Sequence, residues 1–209
     1  MMLAVQNLSC ERDDRVLFEA LNFSVQAHDI LQVEGPNGSG KTTLLRILSG
    51  LNSNYSGRIL WQGEDLASVR EHYCHNLLYV GHHTGVKTTL TPDENLRWFK
   101  ALQPEALGNG DIGEALAKVG LYGYEDVPCH MLSAGQQRRV GLARLYMSTA
   151  KLWILDEPFT ALDKKGVVEK EQLIAAHAGL GGAVILTTHH DLTIEGRPVR
   201  SIHLTEVGL

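Results

Sequence analysis

The chain has 209 residues, enough for one domain with a proper core, and its 44% apolar and 21% charged content is that of a soluble globular protein. A formal charge of −5 argues against a dedicated nucleic-acid binder, which carries a basic excess. Cys10, Cys74 and Cys129 lie far apart, show no pairing or zinc-type spacing and fit a reducing compartment, while the apolar runs at 152–155 and 183–186 fall far short of the ~20 residues that span a bilayer.

With runs this short, if the protein works at a membrane something else is expected to cross it, and residues 1–6 carry no secretory pattern. Strand patterns fall at 3–5, 23–25, 30–34, 58–61, 77–80, 152–155, 183–187 and 201–204. These β-branched runs alternate with helical patterns, which predicts an α/β core of buried parallel strands. The early ones, crowded around a glycine-rich stretch, predict a small antiparallel sheet at one edge.

Strand 30–34 runs into Gly35-Pro36-Asn37-Gly38-Ser39-Gly40-Lys41-Thr42-Thr43 and then into Leu44-Leu45-Arg46-Ile47-Leu48. Strand, glycine loop and helix thus arrive in the order that phosphate binding requires. Glycines let the backbone curl until consecutive N–H groups converge on one anion, and the helix start adds unpaired donors and a positive dipole end. Lys41 is placed to reach the β- and γ-phosphates, and the Thr42 hydroxyl to complete a Mg²⁺ shell. An ordinary glycine turn capping a helix is the alternative, and the strand–loop–helix context weighs against it. The chain is expected to bind a nucleoside triphosphate.

From about 85 to 150 helical signals take over. Thr91 reads as an N-cap, Pro92 as the first helical position and Glu94 as the close of a capping box. A second helix is expected from Asp111 to Val119, ended by Gly120, and Ser133 caps a longer one from Ala134 to Ser148. The expected organisation is a nucleotide-binding core, 1–84 and 151–209, with an inserted helical lobe, 85–150. Trp98 and Phe99 are either apolar anchors for a partner helix or part of the lobe core.

Leu152-Trp153-Ile154-Leu155-Asp156-Glu157-Pro158 is an apolar strand ending in two carboxylates. Ligands of open parallel sheets gather at the carboxyl ends of strands. Asp156 would hold Mg²⁺ directly or through water, and Glu157 would polarise the attacking water as general base. Leu132-Ser133-Ala134-Gly135-Gln136-Gln137-Arg138-Arg139 is a second helix start fitted for an anion, with Ser133 and the Gly135 N–H as small donors. Taken alone, a serine-capped amphipathic helix would explain it.

The glycine loop, the serine–glycine cap, Asp156-Glu157, then Thr160-Ala161-Leu162-Asp163 and His189 together resemble the ATP-binding subunits of ABC transporters over nearly the whole chain. The resemblance implies a P-loop NTPase with a RecA-like parallel-sheet core, an antiparallel β edge and an inserted helical lobe, using ATP and Mg²⁺. Residues 132–136 correspond to the LSGGQ signature with Ala134 in place of one glycine, Asp163 to the D-loop and His189 to the switch histidine. In that family two subunits pair head to tail, so Ser133, Gly135, Gln136 and Asp163 of one copy would serve the nucleotide of the other.

Two positions depart from the family. Where an aromatic residue usually stacks on adenine, this chain has Arg12, which either stacks as a planar cation or is a solvated surface charge. Where the Q-loop glutamine belongs stands His82, whose imidazole could accept from water or ligate the cation. His72, Cys74, His75, His82 and His83 lie close in sequence but match no standard zinc spacing.

Residues 10–18 and 77–82, Lys87 before Leu90-Thr91, and Leu132 through Val140 resemble, more narrowly, the CcmA family, ATP-binding subunits of bacterial cytochrome c maturation. This implies CcmB- and CcmC-like membrane subunits, a functional link to a CcmE-like haem chaperone, and a place on the cytoplasmic face of the inner membrane. Another small ABC exporter, or a soluble ABC ATPase outside transport, is the alternative.

Overall fold

Apolar residues on one side of the first strands draw them into an antiparallel sheet. In the computed structural model, which describes residues 1–205 apart from 14, 84, 104–106, 108, 109, 161, 191 and 195, β1 (Leu3–Arg12) pairs with β2 (Arg15–Val25). On its other side β1 pairs with β4 (Ser56–Trp61), which pairs in turn with the short β5 (Glu64–Asp65), giving the order β2-β1-β4-β5. The strands expected at 3–5 and 23–25 are therefore the ends of a long hairpin. Its register shifts three times along β1, which hides the alternation a strand reading relies on. Gly57 sits where β4 crosses the irregular stretch of β1: its φ is +97°, and a Cβ there would lie 2.3 Å from the Asn7 carbonyl oxygen.

The second sheet is parallel, in the order β6-β7-β8-β3-β9. Its strands are β3 (Ile30–Glu34), β6 (Leu77–Val80), β7 (Leu152–Asp156), β8 (Ala183–Thr187) and β9 (Val199–His203). Every residue of β7 and β8 is buried, as their unbroken apolar runs require in a sheet covered on both faces. One face packs on the antiparallel sheet and α1 (Lys41–Leu48) through Val33, Leu44, Trp61, Ile154 and Ile185. The other packs on helices through Leu78, Leu96, Leu142, Trp153 and Ile174.

Those helices are α3 (Pro92–Leu102), α4 (Ile112–Lys118), α5 (Ala134–Ala143) and α6 (Lys164–Gly179); α2 (Arg70–His75) precedes β6. The caps form where expected. Thr91 and Glu94 close a capping box, Asp111 Oδ1 accepts from Glu114 N at 2.7 Å, and Gly120 follows α4 with φ +71°. Asn95, fully buried, accepts from Lys87 N at 2.8 Å and donates to Lys87 O at 3.0 Å, pinning the segment after β6 to α3.

One expectation changes and one open alternative is resolved for Phe99. The helix expected to reach Ser148 ends at Ala143, and a 3₁₀ turn, Arg144–Tyr146, follows. Arg144 is the reason: it is buried, its Nε donates to Gly141 O at 3.0 Å, and its guanidinium lies 4.2 Å from the centre of the Phe99 ring. Phe99 is consequently lobe core and not a docking anchor, whereas Trp98 beside it is 36% exposed. Among the described residues no helix is long and apolar enough to cross a membrane.

Candidate nucleotide site

The glycine loop connects β3 to α1, and its backbone is one that side chains would not tolerate. Gly35, Gly38 and Gly40 have φ of +147°, +85° and +94°. A Cβ on Gly35 would stand 2.6 Å from both Leu204 O and Ser39 Oγ. Gly40 caps α1, whose first turn is Lys41, Thr42 and Thr43, so no acid of the helix itself offsets its positive end at the loop. Lys41 folds back onto the start of the loop: its Nζ donates to Gly35 O at 2.6 Å and to Pro36 O at 3.0 Å. A phosphate entering the loop would take over this ammonium from two carbonyls.

Asp156 ends β7 beneath the start of α1 and is 2% exposed. Its Oδ2 accepts from Thr42 Oγ1 at 2.9 Å, and its Oδ1 from Thr187 Oγ1, at the end of β8, at 2.7 Å. Two hydroxyls therefore hold the carboxylate in one orientation. Thr42 and Asp156, read separately from the sequence as cation ligands, are in direct contact. A hydroxyl and a carboxylate are hard oxygen donors, and together they suit Mg²⁺.

Glu157 follows with φ +53°, a left-handed conformation rare for a residue with a side chain. Thr187 holds it there, since Glu157 N lies 3.2 Å from Thr187 O and 3.1 Å from its Oγ1. The turn aims the carboxylate at His189, whose N–H donates to Oε2 at 3.3 Å and whose Nε2 is 3.6 Å from Oε1.

Beneath these residues lies a group that sequence reasoning left without a role. Arg138, on α5, is 9% exposed and grips the loops after β6 and β7 at once. Its Nη1 donates to His82 O at 2.7 Å and to Gly81 O at 3.4 Å. Its Nη2 donates to Asp156 O at 3.0 Å and to Glu157 O at 2.6 Å. Burial pulls the guanidinium below its usual range, and the Asp156 and Glu157 carboxylates counteract this.

A cleft of about 310 Å³ gathers Asn37, Gly38, Gly40, Lys41, Thr42, Thr43, Asp156, Glu157 and His189. Arg12 and His82 also line it, although the Arg12 side chain is 72% exposed and pairs with Asp13 at 3.2 Å. The His82 ring packs edge-on against His83, with centroids 5.4 Å apart. Ser133, Gly135, Gln136 and Asp163 are not among the described lining residues. Ser133 and Gln136 cap each other at the start of α5, and Asp163 Oδ1 accepts from Gly166 N at 2.8 Å at the start of α6. Asp14 and Ala161, within the quoted stretches, lie outside the described residues.

A family model described as ABC transporter matches residues 18–160. The cytochrome c biogenesis ATP-binding export protein CcmA of Hahella chejuensis is 55% identical over 207 residues, covering 99% of this chain and 97% of that protein. The protein of the same name from Vibrio cholerae is 54% identical, covering 97% and 98%. A solved ATP-binding subunit of an ABC transporter superposes with a TM-score of 0.84 at 23% identity, over 98% of this chain and 86% of that one. A dimeric, post-hydrolysis ATP-binding cassette bound to ADP and Pi gives 0.83 at 21% identity, over 98% and 95%. These two structures share the fold of this chain.

Proposed function

The chain belongs to the ABC transporter family, and from that premise we propose that it is the ATP-hydrolysing subunit of a complex that exports or releases haem in cytochrome c biogenesis. Its relatives of that name match over nearly their full length. As a member of the family it binds and hydrolyses ATP.

The observation that carries the chemistry is the meeting of Lys41, Thr42, Asp156, Glu157 and His189 in one cleft. Residues 35–43 would cradle the phosphates, with Lys41 leaving the Gly35 and Pro36 carbonyls for the β- and γ-phosphate oxygens. Thr42 and Asp156 would hold Mg²⁺, with His82 as a further candidate at the edge, and the ion would neutralise charge developing on the transferred group. Glu157 takes the proton of the attacking water, and the His189 contact keeps its carboxylate turned into the cleft. Arg12 borders the cleft where a base would lie and offers a planar cation for stacking.

Ser133, Gly135, Gln136 and Asp163 stand apart from this cleft, which supports a head-to-tail homodimer in which each signature helix closes the partner's nucleotide. In this reading 1–84 and 151–209 form the core and 85–150 the lobe. The surface from His82 to Lys100, with exposed Trp98, meets integral subunits of CcmB and CcmC type at the cytoplasmic face of the inner membrane. The cycle then acts on a CcmE-like haem chaperone.

The test combines Glu157→Gln and Lys41→Ala. With ATP and Mg²⁺, Glu157→Gln should lose turnover by roughly 10²-fold or more and elute as a dimer. Strictly monomeric elution would overturn the clamp. Cells carrying only Lys41→Ala should lack covalently haem-loaded c-type cytochromes; normal levels would remove the cytochrome assignment and leave the ATPase standing.

A further inference from the structure

A cavity of about 390 Å³ opens between α4, α5 and α6, lined on α5 by Arg139 and Leu142. Its charged lining is Lys118, Arg139, Lys165, Lys170, Asp163 and Glu169, four cations against two carboxylates. Both carboxylates are already engaged. Asp163 accepts from Gly166 N at 2.8 Å, and Glu169 Oε1 lies 3.7 Å from Lys165 Nζ.

Lys170 is not engaged in this way. It is 3% exposed, and its ammonium makes no hydrogen bond or ion pair with any described residue; it sits 4.9 Å from the centre of the Tyr146 ring. Arg139 Nε is shielded from solvent without a partner, and its Nη1 reaches only Val119 O, at 3.5 Å. Unpaired buried cations are costly, and where native proteins keep them an ion or ordered water usually completes the site. Leu142 and Leu162 add apolar wall to the same cavity, whose size is that of a small-molecule pocket.

We propose that this cavity binds a small organic anion, with a carboxylate or phosphate group seated between Lys170 and Arg139 and its carbon skeleton against Leu142 and Leu162. Burial brings the Lys170 amine down to about 8 while neighbouring Glu169 opposes the shift, so the group stays mainly cationic at neutral pH and calls for a counter-charge. The occupant would touch α4 and α5 on one side and the helix after Asp163 on the other. It would thereby brace the signature helix from behind without entering the nucleotide cleft.

The experiment is a thermal melt of the full chain, saturated with ADP so that the glycine loop is filled, in 50 mM succinate or 50 mM inorganic phosphate against chloride at equal ionic strength. Both anions stabilise proteins generally by exclusion, so the readout is the difference between wild type and Lys170→Met. A dissociation constant of about 1 mM should raise the wild-type midpoint by roughly 5 °C more than that of the variant. A selective response to succinate names a carboxylate ligand, and one to phosphate a phosphorylated one. If Lys170→Met does not fold, Arg139→Gln serves the same comparison. Equal shifts in wild type and variant with both anions would overturn the proposal.

Discussion

Replacing Arg138 with Met tests whether one buried guanidinium holds the catalytic loops together. The substitution keeps the bulk on α5 and removes the donors to Gly81, His82, Asp156 and Glu157 carbonyls. Hydrogen bonds from a charged donor contribute about 1.5–3 kcal/mol each, and the contacts at 2.7, 3.0 and 2.6 Å are well formed. Against that stands the recovered desolvation of a cation that is 9% exposed. Stranding buried carbonyls outweighs the recovery, and a net loss of about 3–5 kcal/mol is expected. At about 2–4 °C per kcal/mol for a chain of this size, the melting midpoint should fall by roughly 10 °C. Turnover measured well below that midpoint should also fall, because Glu157 loses its anchor along with the His82 loop. Arg138→Lys should restore less than half of either loss, since one ammonium cannot span two pairs of carbonyls. A Met variant that melts within about 2 °C of wild type would refute the reasoning.

His177 stacks on Trp153 at 3.8 Å and is pushed down to about 4, first by burial, with backbone contacts at Ala183 and Lys151 opposing. The unfolded chain therefore binds the extra proton first, so stability is complete above about pH 6.5 and drains away towards pH 4; His177→Gln should remove on the order of 2 kcal/mol of the loss between pH 6.5 and 4.5 in urea titrations. An equal loss in both proteins would reject that assignment. Replacing His82, which lines the cleft, by Gln should change the ATPase rate, and unchanged turnover would remove His82 from the mechanism. Trp98, exposed under the Lys87 ammonium at 4.5 Å, should tolerate Ala within about 0.5 kcal/mol while membrane-subunit binding in pull-downs fails; a variant that unfolds would return Trp98 to the lobe core.

Lys41, Thr42, Asp156 and Glu157 were legible in the sequence because their chemistry is local: each stands at a strand end or helix start whose residues announce it. Arg138 was not, although it lies within the quoted signature stretch. Its acceptors at Gly81 and Asp156 are 57 and 18 positions away, and nothing near residue 138 signals them. The α6 helix escaped for another reason. Of its residues Lys170, Ile174 and Ala178 are buried, so a cation occupies a core-facing position and the apolar period is broken. The length of β1 and β2 was hidden by register shifts, and the early end of α5 by the unexpected burial of Arg144.

The left-handed backbone at Glu157 carries a cost that its neighbours absorb. A glycine at that position would relieve about 1 kcal/mol of torsional strain, so the most comfortable residue for the turn is one with no acid at all. The polypeptide is thus held slightly uphill at the point where water is to be activated, and the end of β8, through Thr187, acts as the catch that keeps it there.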